Sequence, residues 1–362
     1  MKILHTADIH LGSKLESKFP KDKSDIRKKE ILNSFGRMID YANENNINTI
    51  LLSGDVFDKD KPALKDKDYF YKAIKNNPHI TFYYLNGNHD KDGSYSQTDV
   101  ENLKTFNKEA FTYYQEGNLC IAGIEMTSAN ARSFYSQLKL DKNNLNIVML
   151  HGDATDSAGM DKVKIDSLKN KGIDYLALGH IHTHKDGRID DRGVYAFPGC
   201  LEGRGFDECG EKGFIVLDVT DHIEYEFIPF ASRTIHELDL DITDSNDLYD
   251  VVNKAKKLVK DINKKDILRI NLVGEVNVGM ELNEKDIEVS LNDYFFTNVK
   301  NKTTMKINLS DYDDDKSLIG EFIRGVYNNP EYTDEEKQRL INAGLRAING
   351  KEVEWWSLFP CI

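Results

Sequence analysis

Short apolar runs alternate with amphipathic stretches along the first part of the chain. Five of the runs predict buried β-strands, at residues 3–7, 49–53, 80–86, 146–150 and 174–178. Between the first two runs, apolar residues recur at helical spacing and predict a helix capped by Ser24 or Asp25. Further helices are expected over residues 62–77 and 96–106. Strand–helix–strand units of this kind predict parallel strands joined by crossover helices.

The pattern changes over residues 118–124 and 194–230, where short strands are separated by Gly, Pro and Asp. These residues predict a second, more antiparallel sheet. The expected fold class is therefore α/β (α+β), with a two-sheet sandwich flanked by helices.

The remaining sequence predicts a small α+β unit followed by a helical tail. The strands of that unit are expected at residues 235–242, 267–275 and 302–308, and its helices at 248–262 and 282–296. An acidic break at residues 311–315 follows, and Thr333 with Glu336 forms a capping box for the last helix. The predicted domains are residues 1–230, 231–309 and 310–362.

The composition is typical of a globular protein, since 40% of the 362 residues are hydrophobic and 30% are charged. No apolar stretch approaches the ~20 residues that cross a bilayer, and the N-terminus lacks a secretory signal. We therefore expect no membrane association and a cytoplasmic location. The four cysteines have no C-x-x-C spacing and favour reduced thiols without an assigned role.

The net charge of −13 argues against a protein that binds nucleic acid with its whole surface. A local basic path nevertheless follows the first strand and includes Lys14, Lys18 and Arg27. With Arg204, these residues are candidate DNA contacts. The alternative is an ordinary solvated surface.

Each of the five predicted strands is followed by Asp, Asn or His. These residues are Asp8 and His10 after the first strand, Asp55 and Asp58 after the second, Asn88, His89 and Asp90 after the third, His151 after the fourth, and His180 and His182 after the fifth. A single histidine in such a place is usually a core residue, as we expect for His5 and His184. The joint occurrence predicts a metal site to which five strands contribute at one sheet edge.

Carboxylate, imidazole and amide groups without thiolate favour manganese, iron or zinc over a structural zinc–cysteine site, and magnesium is also compatible. Asp55 could bridge two ions about 3.5–4 Å apart, the separation of two-metal phosphoesterases. Asp58 and Asp90 either orient a neighbouring histidine from outside the ligand set or cap a turn.

The ordered motifs D-x-H, G-D-x-x-D, G-N-H-D, H-G and G-H-x-H resemble the calcineurin-like metallophosphoesterase superfamily. Residues 4–12 and 198–214 further resemble its DNA-repair exonuclease subfamily, which includes bacterial SbcD and YhaO and the meiotic-recombination nucleases. The resemblance implies a metallophosphoesterase sandwich, a capping domain that binds DNA and a C-terminal segment that binds a partner.

The resemblance also implies roles for individual residues. One ion would be held by Asp8, His10 and His182, and the other by Asn88, His151 and His180, with Asp55 between them. His89 matches the catalytic histidine that is not a ligand. The chain departs from the family pattern at Asp58, where some relatives carry a histidine, and at Cys200, which replaces a small hydroxyl residue.

These implications together predict a two-metal DNA exonuclease, with endonuclease activity and a homodimer left open. The chain would be the nuclease subunit of a DNA-repair complex with an SMC-like ABC ATPase, which residues 315–362 would bind. Two alternatives remain at this point, namely a stand-alone phosphodiesterase or phosphatase for small substrates and a non-catalytic scaffold of the ATPase complex.

Overall fold

The structure is a computed structural model that describes residues 1–59, 62–88, 100–277, 280, 282–306 and 312–348. Residue contacts divide the chain into two units, Met1–His236 and Glu237–Ile362. The first unit contains two six-stranded sheets with helices outside, which confirms the predicted two-sheet α/β sandwich. The three predicted domain ranges stay a prediction.

The first sheet has a parallel centre that the N-terminal strands form. In sheet order its strands are β14 (Ile223–Pro229), β13 (Gly213–Val219), β1 (Lys2–Thr6), β2 (Thr49–Ser53), β3 (Thr81–Leu85) and β4 (Leu103–Thr105). Strands β1 to β4 are parallel, whereas β13 is antiparallel to β1 and β14 to β13. The crossovers contain α1 (Lys21–Glu44) and α2 (Leu64–Lys75).

The second sheet is also parallel at its centre. In sheet order it contains β11 (Lys185–Arg188), β12 (Val194–Phe197), β10 (Tyr175–Gly179), β7 (Leu145–His151), β6 (Leu119–Gly123) and β5 (Thr112–Glu116). Only the edge strands β5 and β11 pair in antiparallel fashion. A separate two-stranded pair consists of β8 (Asp153–Thr155) and β9 (Lys162–Lys164).

Several local predictions need correction. The second sheet is not mainly antiparallel, because β13 and β14 extend the first sheet, where Ile215 and Leu217 of β13 pack between the sheets. Residues 103–105 of the expected third helix form β4 instead, since the edge of β3 offers them backbone hydrogen-bond partners. Helix α1 begins at Lys21, directly after Pro20, and neither predicted residue caps it.

Apolar side chains fill three layers in the first unit. One layer lies between the sheets and includes Ile3, Leu51 and Met149. Helices α1 and α2 cover the outer face of the first sheet with residues such as Phe35 and Phe70, and the third layer lies on the outer face of the second sheet. The central parallel strands, such as β2 and β10, are buried on both faces and are mostly apolar, whereas the edge strands β5, β11 and β14 are partly exposed.

The second unit contains a three-stranded sheet of β15 (Ile235–Asp241), β16 (Ile267–Val273) and β18 (Phe296–Asn301), with α3 (Leu248–Leu258) and α4 (Glu284–Ser290). Strand β17 (Glu275–Asn277) pairs with β19 (Thr304–Lys306). The helix predicted over residues 282–296 is shorter than expected, since α4 ends at Ser290. Of the strand predicted over residues 302–308, the described part contains β19 and the end of the loop before it.

Two helices complete the second unit, α5 (Leu318–Tyr327) and α6 (Asp334–Ile348). They pack through Ile323, Ile341 and Leu345. The capping box before α6 is confirmed, because the Thr333 backbone N–H donates to the Glu336 carboxylate and the Glu336 N–H donates to the Thr333 hydroxyl. Among the described residues no helix has the length and apolarity of a membrane span.

Candidate metal centre

The predicted ligands converge where strands of both sheets end. Strands β1, β2 and β3 belong to the first sheet, and β7 and β10 to the second, so the expectation of a single sheet edge is corrected. The two sheets meet at this point. The Ser53 hydroxyl of β2 donates to the Ala177 carbonyl oxygen of β10 at 3.4 Å. Within the first sheet, the Asp8 N–H after β1 donates to the Gly54 carbonyl oxygen after β2 at 3.0 Å.

Four predicted ligands have left-handed backbone conformations that non-glycine residues rarely adopt. The φ angles are 52° at Asp8, 52° at His10, 51° at Asp55 and 104° at His180. Each such residue costs about 1–3 kcal/mol and persists only where the surrounding structure holds it. These left-handed turns direct the side chains at the strand ends into one space. The strained backbone is therefore part of what brings the predicted ligands together.

The first cluster consists of Asp8, His10 and His182, whose ligand atoms all lie within 4.8 Å of one another. The Nε2 atoms of the two histidines are 3.1 Å apart. Nε2 of His182 lies 3.9 Å from Asp8 Oδ1. These three residues are the set that the resemblance implies for one ion.

The second cluster consists of Asp8, Asp55 and His151, which meet the same distance limit. His151 Nε2 lies 3.4 Å from Asp55 Oδ2 and 3.0 Å from Asn88 Oδ1. The ring of His180 is 5.3 Å from that of His151, centre to centre, and the His180 backbone N–H donates to the Asp8 carboxylate. Asp8 is thus common to both clusters.

Hydrogen bonds on the far side of two rings fix which nitrogen faces the clusters. His151 Nδ1 is 2.8 Å from the Ser53 carbonyl oxygen, which can only accept, so Nδ1 carries the proton. His182 Nδ1 likewise donates to Glu208 Oε1 at 2.8 Å. In the neutral form of each ring, Nε2 therefore presents its lone pair to the clusters, which is the arrangement that metal-binding histidines need.

Burial and neighbouring charges shift the pKa values of the clustered groups. Burial raises the pKa of Asp8 to about 6, against the lowering effect of His151 and His182. Burial alone would lower the pKa of His151, but its hydrogen bond to Asp55 and the charges of the two carboxylates raise it to about 9. Burial keeps the pKa of His10 well below its usual value.

The donor set fits divalent cations. Asp8 and Asp55 place two carboxylates in a buried space, and the raised pKa of His151 shows that this space attracts positive charge. A cation with oxygen and nitrogen ligands would supply the same charge without a proton. Asp8, His10 and His182 would hold one ion, and Asp55, His151 and Asn88 would hold another, with His180 beside them.

The structure also locates the remaining candidate residues. Asp58 Oδ1 lies 3.5 Å from His10 Nδ1. His89 and Asp90 lie outside the described residues. Lys14 is exposed, and Lys18 forms an ion pair with Asp207 on the surface.

Arg27 is a correction, because its side chain is fully buried. It contacts Glu30 and Glu202 and donates to the Gly203 carbonyl oxygen, so it cannot contact DNA. Its interactions connect α1 to the loop after β12. The basic run in the sequence did not distinguish this buried cation from its exposed neighbours.

Glu208 was not predicted as a site residue, although it belongs to a motif of the resemblance. It is 3% exposed and contacts both His182 and Arg204. Burial would raise its pKa, but hydrogen bonds from these two residues hold the pKa well below the usual range. In the sequence, Glu208 lies in a Gly-rich stretch without helical or strand periodicity. No pattern in the sequence therefore indicates that the Glu208 side chain contacts His182 and Arg204.

The family model of calcineurin-like phosphoesterases matches residues 1–184. The match covers half of the chain, and the chain belongs to this family. The two clusters described above are therefore candidate metal sites in a member of a metallophosphoesterase family.

Three known proteins are similar to this chain in sequence. The chain is 28% identical over 284 residues to YhaO of Bacillus subtilis, described as an uncharacterized metallophosphoesterase, with 73% of this chain and 69% of that protein covered. It is 25% identical to DNA double-strand break repair protein Mre11 of Sulfolobus acidocaldarius, with 98% and 97% covered. The Mre11 protein of Saccharolobus solfataricus is also 25% identical, with 98% and 96% covered.

Proposed function

We propose that this chain is a metal-dependent DNA exonuclease that hydrolyses phosphodiester bonds with two divalent ions, manganese above all. The observation that carries the proposal is the pair of ligand clusters that share Asp8 and contain only oxygen and nitrogen donors. The similarity to Mre11 proteins over nearly the full length of both chains supports DNA as the substrate.

The proposed mechanism divides the work between the ions and the chain. Bound divalent ions would supply Lewis acidity and a water of lowered pKa for in-line attack on phosphorus. The chain holds the Nε2 atoms of His151 and His182 toward the clusters through the Ser53 carbonyl and the Glu208 carboxylate. His89, by the resemblance, would donate a proton to the leaving ribose oxygen.

A lysine-lined cleft supports a path for the DNA backbone. The cleft has a volume of about 320 Å³, and its lining includes Lys14, Lys28, Lys29, Lys59 and Lys65. Ser13 also lines it and donates its hydroxyl to Asp58, 2.8 Å away, which in turn lies beside His10. We therefore propose that this lysine cleft, rather than Arg27, binds phosphates next to the first cluster.

The substrate class can be tested with purified full-length protein and manganese. We expect hydrolysis of end-labelled linear DNA and much slower hydrolysis of cyclic nucleotides and a chromogenic diester. His151→Ala should abolish hydrolysis, while His222→Ala, which changes an exposed histidine far from the clusters in sequence, should not. Hydrolysis of the small substrates without DNA would instead favour a small-substrate phosphodiesterase, and metal binding without any hydrolysis would favour a scaffold.

The role of His89 has a separate test. His89→Ala should retain manganese but lose hydrolysis, and loss of a general acid typically costs 10²–10⁴ in rate. Metal analysis and single-turnover hydrolysis on the same preparation separate the two properties. A variant that lost its manganese would show that His89 is a ligand.

We also propose that residues 315–362 bind the coiled-coil base of an SMC-like ATPase. Within the described part of this segment, Leu318 and Tyr327 of α5 are exposed although the helix is strongly apolar. Trp355 and Phe359, which also motivate the proposal, lie outside the described residues. Deletion from Asp315 onward should preserve the melting temperature and manganese-dependent hydrolysis and abolish co-purification with the ATPase. Retained co-purification would contradict the proposal.

A further inference from the structure

The two histidines of the first cluster are connected on their outer sides by a closed ring of polar contacts. Asp58 Oδ1 lies 3.5 Å from His10 Nδ1, and Glu208 Oε1 lies 2.8 Å from His182 Nδ1. Arg204 joins the two carboxylates, since its Nη1 is 2.9 Å from Asp58 and its Nη2 is 2.6 Å from Glu208. The ring closes where the two histidine Nε2 atoms approach to 3.1 Å.

Most N–H groups of Arg204 are engaged within this ring of contacts and its immediate surroundings. Nη1 contacts Asp58 and, at 3.4 Å, the Ser13 hydroxyl. Nε and Nη2 contact Glu208, and Nη2 also lies 3.1 Å from His182 Nδ1. The Arg204 side chain is 13% exposed. The guanidinium is therefore largely engaged by acceptors of the protein itself, and the DNA contact expected for Arg204 from the sequence stays a prediction.

A lysine in place of this arginine could not make the same contacts. The guanidinium is a planar fork with five donors, whereas the lysine ammonium is a point charge. The fork places separate nitrogens on the two carboxylates, Nη1 on Asp58 and Nη2 on Glu208. A single ammonium cannot do this, so lysine is expected to hold the two carboxylates less well than arginine.

The loop that contains Arg204 also donates hydrogen bonds to the backbone of His182. The buried Lys212 donates from Nζ to the His182 carbonyl oxygen at 2.9 Å, and the Cys200 N–H donates to the same oxygen at 3.4 Å. His182 is therefore held both at its ring and at its backbone by residues 200–212. His151 of the second cluster is held instead by the Ser53 carbonyl oxygen.

We propose that Arg204 is a positioning residue that orients His10 and His182 through Asp58 and Glu208 and so sets the cation affinity of the first cluster, but not of the second. Outer partners of metal-binding histidines fix the tautomer and the ring orientation, and their loss typically costs 10–100-fold in metal affinity. The inference rests on the metal centre of the proposed function and is independent of the substrate.

Manganese titration of the full-length protein by calorimetry tests this proposal. The variants are Glu208→Gln, which keeps the shape of the side chain, Arg204→Gln, and the conservative Arg204→Lys. Arg192→Lys is the matched control, because Arg192 binds Asp174 with two contacts and also reaches two backbone carbonyls. Asp174 precedes β10, whereas the metal centre follows it.

We expect one of two manganese sites to weaken by about 10–100-fold in Glu208→Gln and Arg204→Gln, with partial rescue in Arg204→Lys. The other site and the control should keep wild-type affinity. Electron paramagnetic resonance at two equivalents of manganese should then show an uncoupled ion, as in a His182→Ala reference and unlike the wild type.

Two results would overturn the proposal. One is wild-type affinity at both sites in both Gln variants. The other is equal weakening of both sites together with a fall in the melting temperature of the metal-free protein, which would indicate a general structural role. Wild-type protein that binds two ions but leaves DNA intact would refute the proposed function and leave this inference standing.

Discussion

The two ligand clusters share Asp8 but differ in how their histidines are held. In the first cluster the partners on the far side of the rings are carboxylates, Asp58 and Glu208, whose charges are balanced by an arginine. In the second, His151 donates to the backbone carbonyl of Ser53, at the end of β2. One cluster is oriented by charged side chains from a loop, and the other by the sheet itself.

Because of this difference, different substitutions should change the orientation of the histidines in the two clusters. The orientation of His151 depends on a main-chain oxygen and on the close approach of β2 to β7, so no side-chain truncation can remove its hydrogen-bond partner. The orientation of His182 depends on side chains that can be replaced one at a time. We therefore expect the two clusters to respond to different sets of substitutions, and four predictions test this expectation.

The largest effect is expected for Asp8→Asn, which removes the carboxylate common to both clusters. Manganese affinity should fall at both sites by more than the 10–100-fold expected for an outer partner. Burial raises the pKa of Asp8, so removing its charge should leave the melting temperature of the metal-free protein unchanged or raise it. Calorimetric titration and thermal unfolding measure the two effects. Loss at only one site would show that Asp8 serves one ion.

Gly54→Ala should affect only the second cluster. Gly54 has a φ of +93°, and a Cβ there would lie 2.2 Å from His151 Nδ1. The ring must move away from the Ser53 carbonyl, so we expect a 10–100-fold loss at one manganese site and about 1–3 kcal/mol of destabilisation. Calorimetry and denaturant unfolding give these values. The first cluster should keep its affinity, and equal loss at both sites would contradict the separation.

Asp58→Asn should have a smaller effect, confined to the first cluster. The Asp58 side chain is partly exposed and its oxygen is 3.5 Å from His10 Nδ1, longer than the Glu208 contact to His182. We expect a loss of less than about tenfold in manganese affinity at one site, below the range for a fully engaged partner. A loss as large as that of Glu208→Gln would show that Asp58 and Glu208 contribute equally to manganese affinity at the first cluster.

The smallest effect on metal binding is expected for changes in the lysine cleft. The double variant Lys14→Ala and Lys59→Ala should keep both manganese affinities, although the cleft adjoins the first cluster. DNA affinity should fall, and the slope of log K against log salt should decrease by about 0.9 per lost phosphate contact. Binding measurements at several salt concentrations test this. An unchanged slope would place the DNA elsewhere.

The strand ends could be predicted from the sequence because each metal-ligand candidate follows an apolar run directly. The assignment of these strands to two sheets could not, since a buried strand is apolar on both faces whichever sheet it joins. The left-handed backbone at Asp8 and His10 could not be predicted either, because in a sequence mainly glycine indicates such a conformation. Glu208 and Arg204 lie in an irregular loop whose partners are distant in the chain.

The position of β1 in its sheet has a consequence for the newly made protein. β1 lies between β2, which follows it closely in the chain, and β13, which is completed only at Val219. At a synthesis rate of ~5–20 residues per second, roughly ten to forty seconds separate the appearance of His10 from that of Glu208. An unfinished chain on the ribosome therefore carries Asp8 and His10 without Glu208 and Arg204, so the first cluster is completed only when the last strands of the sandwich have been made.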